Sequence, residues 1–132
     1  MRPDNPQEVI GVDVGEARVG LARGSTIARI AEPLKTVGAN EAITAIAEFD
    51  CDIVVVGLPR NLDGKDTQQT TAVRDWVKQA SQKIDKPFYW QDEALTSKAA
   101  EAANHPAGSD AVAASIILQD FLDTPPDRWV RC

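Results

Sequence analysis

A chain of 132 residues, 43% of them apolar, has the length of one domain and can bury enough surface to fold without disulfides or a structural metal. Its 14 Lys and Arg against 20 Asp and Glu leave a formal charge of −6, which argues against a non-specific coat on nucleic acid and against adhesion to anionic membranes, while leaving room for a local basic groove. No segment approaches the ~20 apolar residues of a membrane span, residues 1–8 are polar, and Cys51 and Cys132 stand in no metal or redox spacing, so a soluble cytoplasmic protein with two free thiols is expected.

Residues 9–14 (VIGVDV), closed by Gly15, predict a buried strand. Residues 18–22 and 26–31 predict two further antiparallel strands joined by a hairpin at Gly24 and Ser25. After Pro33 and Gly38, the spacing of Ile43, Ile46 and Ala47 predicts a short amphipathic helix over 41–49. The apolar run 53–56, ended by Gly57 and Pro59, suits a central parallel strand covered on both faces. A polar loop at 60–65 precedes Val73, Val77, Ala80 and Ile84, whose spacing predicts a crossover helix. Pro87 restarts the chain as a strand through Phe88 and Trp90, an alanine-rich helical stretch covers 95–104, and a last helix runs from 109 to 122. Pro125 and Pro126 predict an irregular tail over 124–132, with Trp129 packed back on the body. An antiparallel meander followed by a βαβαβ half indicates a three-layer α/β fold in one domain with its core at 9–123.

Asp13 lies inside the first strand, in phase with Val9 and Gly11, where an ionised carboxylate is costly unless paired or bound to a metal. The competing reading is a turn aspartate serving the backbone near Gly15. Asp92 and Glu93 close the aromatic strand, where ligands bind in open α/β sheets, or else cap the next helix. Neighbouring strand residues alternate sides, so only one of the two can face the same site as Asp13. Asp110 opens the last helix in line with Ala114, Ile117 and Phe121, and so points along the core edge, unless it or Ser109 caps that helix. Three such carboxylates meeting at one end of the sheet repel one another unless cations join them. Mg²⁺ or Mn²⁺, in a pair, would suit them and would clamp the attacking and leaving oxygens of a phosphodiester.

Four segments, GVDVGEARVGLA (11–22), DIVVVGLPRNLDG (52–64), DEALTS (92–97) and DAVAASIILQDFLD (110–123), in this order and spacing, resemble the YqgF/RuvX family. These are RNase H-like proteins, also called Holliday-junction-resolvase-like proteins or pre-16S rRNA nucleases. The resemblance implies an RNase H-like three-layer α/β fold with a five-stranded mixed sheet and helices on both faces. It implies a metal-dependent nuclease that matures the 5′ end of 16S ribosomal RNA, with Asp13, Glu93 and Asp110 as catalytic metal ligands for Mg²⁺ or Mn²⁺. Arg18 matches a basic position of the family's first motif and is expected on a phosphate; Arg60, Lys65 and Lys98 are looser candidates for nucleic-acid contacts. Implied partners are pre-16S rRNA, alone or in ribosomal precursor particles, or branched DNA, with the protein a monomer or weak homodimer.

Two departures from the family pattern concern substrate grip: Ala94 stands where relatives usually carry Arg, and the stretch before Asp110 is short, with Lys98 its one basic residue. Two further readings therefore stand beside the RNA nuclease, a resolvase of DNA junctions and a ribosome-assembly or RNA-binding factor of faded activity. His105, beside Pro106, is expected in a surface loop. Gly15 and Gly20 are similar to the phosphate loop of actin-like ATPases, which clasp nucleotide between two domains where this chain supplies one.

Overall fold

Alternation along the first strand sends Ile10 and Val12 to one side of a sheet and Val9 and Gly11 to the other, and both sides are covered. The computed structural model describes residues 6–61, 63–93 and 105–132. Strands β1 (Glu8–Val14), β2 (Arg18–Ser25) and β3 (Glu32–Gly38) form the antiparallel meander, followed by α1 (Ala42–Glu48), β4 (Ile53–Pro59), α2 (Gln68–Lys83), β5 (Phe88–Glu93), α3 (Ser109–Asp123) and β6 (Val130–Arg131). The sheet order is β3-β2-β1-β4-β5-β6, with β4 parallel to both β1 and β5. Ile10, Val12, Val54 and Val56 pack under α1 and α2; Val9, Ile53 and Val55 pack under Ala114, Ile117, Leu118 and Phe121 of α3. The expected three-layer α/β architecture with helices on both faces is therefore present. The helical stretch expected over 95–104 lies outside the described residues.

Two elements differ from expectation. Residues 26–31 form no strand: Gly24 and Ser25 continue β2, and the chain then turns, with Arg29 N–H donating to the Ser25 carbonyl at 2.9 Å and Ala28 N–H to Ser25 Oγ at 2.9 Å. Ile27 and Ile30, the large apolar residues of that segment, are 67% and 69% exposed. The third strand begins at Glu32 instead. The tail is also ordered: Pro126 starts a 3₁₀ turn, Pro126–Arg128, and β6 pairs antiparallel with β5, which makes the sheet six-stranded rather than five-stranded. A two-residue strand is too short to show any period.

Trp129 fixes this tail. Its indole stacks on Phe121 at 4.3 Å between ring centroids, meets Tyr89 edge-on at 5.6 Å, and donates Nε1–H to the carbonyls of Thr124 and Phe121. Trp129→Ala is expected to cost about 2–3 kcal/mol through the removal of this aromatic packing. In urea the midpoint should fall with an unchanged slope; a loss below about 0.5 kcal/mol would mean that the tail adds nothing to the core.

Candidate active site

The site is built where β1 meets two glycines. Asp13 follows Val9 and Gly11 on the α3 side of the sheet, and its registered partner on β2 is Gly20. A Cβ on Gly20 would overlap the backbone oxygen of Asp110, so the first turn of α3 lies directly on β2 beside Asp13. On β4, the row after the Val12–Val56 pair brings Gly57, where a Cβ would stand 2.5 Å from Ile117 Cδ1 and 3.5 Å from Glu93 Oε2. Both glycines thus leave room for carboxylate-bearing elements to approach Asp13. Gly20 was not expected in this role from the sequence, where the available signal was a glycine inside a strand, which often marks close backbone approach.

Glu93 ends β5 in phase with Tyr89, which packs against the α3-side core. Asp92 takes the opposite phase, is exposed, and lies 3.9 Å from Arg60 Nη1. Of the two neighbouring carboxylates, Glu93 is therefore the one on the Asp13 side. Asp110 sits in the first turn of α3, a favourable position for negative charge, but it does not cap that helix: the cap position is Gly108 and no side chain bonds there. The chain is delivered to that turn by Thr36, whose Oγ1 donates to the Ala107 carbonyl at 2.8 Å, and by exposed His105, whose Nδ1 accepts from Ala107 N–H at 3.0 Å. Asp110 Oδ2 is 3.2 Å from Arg18 Nε, and Arg18 is 70% exposed against 33% for Asp110.

Burial, and then the negative charges of Glu93 and Asp110, push the Asp13 carboxyl up from 3.8 to about 7. Burial raises Glu93 as well. With no cation bound, the site near neutral pH holds more negative charge than it can stabilise. Its donors are carboxylate oxygens, which suit a hard divalent cation, so the residues fit such an ion in chemistry. As they stand, no three His, Cys, Asp or Glu side chains among the described residues close round a metal position.

Of the four basic candidates, Arg18 shares this end and side through its contact with Asp110. Arg60 turns away: it follows β4 in phase with Leu58 and lies 3.7 Å from Asp66 and 3.9 Å from Asp92. Lys65 is exposed in the following loop, which Asn61 Oδ1 shapes by accepting from the Asp63 and Lys65 N–H groups. Lys98 lies outside the described residues.

The sequence pattern of the family described as RuvX, Holliday junction resolvase, matches residues 7–124. A protein of Roseiflexus sp. (strain RS-1) named "Putative pre-16S rRNA nuclease" is 37% identical over 135 aligned positions, covering 90% of this chain and 96% of that one. One of the same name from Chloroflexus aggregans is 39% identical, covering 90% and 95%. Among solved structures, Thermus thermophilus RuvC superposes with a TM-score of 0.59 at 13% identity, over 95% of this chain and 99% of that one. The same protein bound to a Holliday junction substrate gives 0.58 at 16% identity. These structures share the fold, an RNase H-like α/β architecture.

Proposed function

The chain belongs to the RuvX family, and from that premise we propose that it is a nuclease that hydrolyses phosphodiester bonds of RNA, using Mg²⁺ or Mn²⁺, in maturation of the 5′ end of 16S ribosomal RNA. The observation that carries this reading is Asp13: a carboxylate inside a buried strand, its proton held up to about 7 by burial and by the charges of Glu93 and Asp110, with no side-chain hydrogen bond or ion pair among the described residues to explain its place.

In this reading Asp13, Glu93 and Asp110 hold the cations. When bound, a pair of ions supplies an activated water and a clamp on the attacking and leaving oxygens. Asp13 would give up its carboxyl proton to hold a cation, and Glu93, whose Oε2 lies over Gly57, would offer a ligand oxygen from the far strand. The fork of Arg18 is free to turn from Asp110 to a phosphate, where two parallel N–H bonds would hold the backbone at the cut and release Asp110 to the site.

Arg18→Ala is expected to raise KM for the RNA about tenfold, equivalent to ~1.4 kcal/mol, with a smaller change in kcat. Stability should stay within about 0.5 kcal/mol, because the ion pair is exposed. Unchanged KM would limit Arg18 to holding Asp110.

The second reading, a resolvase of branched DNA, is favoured by the family description and by the likeness to RuvC. Wild-type protein with Mn²⁺, presented in parallel with end-labelled pre-16S rRNA and a four-way DNA junction, separates the two. Cuts in the RNA leader alone support the proposal. Symmetric paired cuts in the junction alone replace it.

A further inference from the structure

Around the edge of β5, with Asp92 in the wall of the first, two cavities of about 380 and 510 Å³ share Arg74 and Trp90 as a common wall. The first is closed on one side by the ordered tail, where Arg128 lines it together with Arg60 and Arg74. The second continues along α2 past Lys78 and Lys86. Six of the chain's 14 basic residues, Arg131 included, thus line one groove, against Asp85 and Asp92, in a protein with six more acidic than basic side chains. The Arg131 guanidinium lies 5.5 Å from the Tyr89 ring centroid.

Local charge and shape both select the occupant. Asp66 lies 3.7 Å from Arg60 and 3.4 Å from Arg74, and Asp92 lies 3.9 Å from Arg60, partly exposed ion pairs that a phosphate can replace. Arg74 is already laid over the Trp90 ring at 5.6 Å, a stack on which an unpaired base can be placed. Volumes of this size accept a nucleotide in each cavity; a duplex, with its bases stacked inside, could present only its outer phosphates.

We infer that this groove holds a single-stranded stretch of the nucleic-acid substrate flanking the cut, its phosphates on Arg60, Arg74, Lys78 and Arg128 and a base against the Arg74–Trp90 stack. The inference rests on the nuclease reading for the position of the cut. It extends that reading by making a single strand, rather than a duplex, the preferred ligand of the flanking groove.

The test is fluorescence anisotropy in EDTA, where no cleavage occurs, with a labelled 12-nucleotide single-stranded RNA and the blunt RNA duplex of the same sequence. Wild type should bind the single strand at least tenfold more tightly. Arg74→Glu and, separately, Lys78→Glu should weaken it about tenfold or more, with the slope of log K against log salt shallower by about 0.7 for each phosphate no longer neutralised. Lys35→Glu, on edge strand β3 at the other side of the sheet, should change nothing. Equal affinity of both groove variants and wild type, no binding by wild type, or a preference for the duplex would overturn the inference. The two readings fail separately: loss of binding in the groove variants by a protein that cuts no RNA keeps the groove and removes the nuclease, whereas cutting with unaltered binding does the reverse.

Discussion

Asp13→Asn is expected to raise the melting temperature of the metal-free protein at pH 8 by roughly 10 °C while abolishing cleavage. A rise of the folded-state carboxyl from 3.8 to about 7 corresponds to about 4 kcal/mol of cost to the ionised site. Below about pH 4 the group is protonated in both folded and unfolded chains and contributes no difference. Between about pH 4 and pH 7 the folded protein binds the extra proton, so stability falls as pH rises, and above pH 7 the whole cost is present. Asn carries no charge but still buries an amide, so about 2–4 kcal/mol of stabilisation should appear at pH 8 and vanish near pH 4. Mn²⁺ should raise the melting temperature of wild type and not of the variant. Equal melting temperatures of the two proteins at pH 8 in chelator would show that Asp13 is compensated by some other group.

Gly20→Ala is expected to cost about 3 kcal/mol and most of the activity, although it adds one methyl group. That methyl would meet the Asp110 carbonyl, which is backbone held by α3, so either the helix shifts off β2 or the strands part. Both movements take Asp110 from Asp13. Gly57→Ala provides the comparison: its nearest neighbour is the tip of Ile117, which can change rotamer, so the loss should be about 1 kcal/mol. Thermal melts of both variants, read beside cleavage rates, test this ranking. Similar losses at the two positions would mean that α3 is not fixed against Gly20 by its backbone.

The carboxylates were legible because each broke a pattern. Asp13 interrupts an apolar β-branched strand, Asp110 joins the buried stripe of α3, and period-two alternation separates Glu93 from Asp92. Trp129 was likewise readable as a large apolar group after two prolines. What escaped reading has no local signature. Residues 26–31 carry β-branched Thr26, Ile27 and Ile30 as a strand would, yet Ile27 and Ile30 face solvent because the Ser25 side chain and carbonyl close a turn there. Sheet pairing of the tail depends on the free edge of β5, a tertiary fact. The direction of Arg60, away from Asp13, follows from its phase after Leu58 and from Asp66, neither of which a charge in a loop reveals. The groove joins Arg74, Trp90 and Arg128 from three separate elements, and the role of Gly20 depends on where α3 comes to rest.

Asp13, Glu93 and Asp110 are proposed to act together as a cation-loaded site for phosphodiester hydrolysis. The most direct test is the cleavage rate of end-labelled pre-16S rRNA as Mn²⁺ is titrated, for wild type and for Asp13→Asn shown to be folded by its melt. Cuts in the 5′ leader are expected to saturate with Mn²⁺, to disappear in chelator, and to fall at least 10³-fold in the variant, ~4 kcal/mol of transition-state stabilisation. Cleavage by Asp13→Asn at the wild-type rate, or by wild type in full chelation, would contradict a joint, cation-loaded role for the three carboxylates.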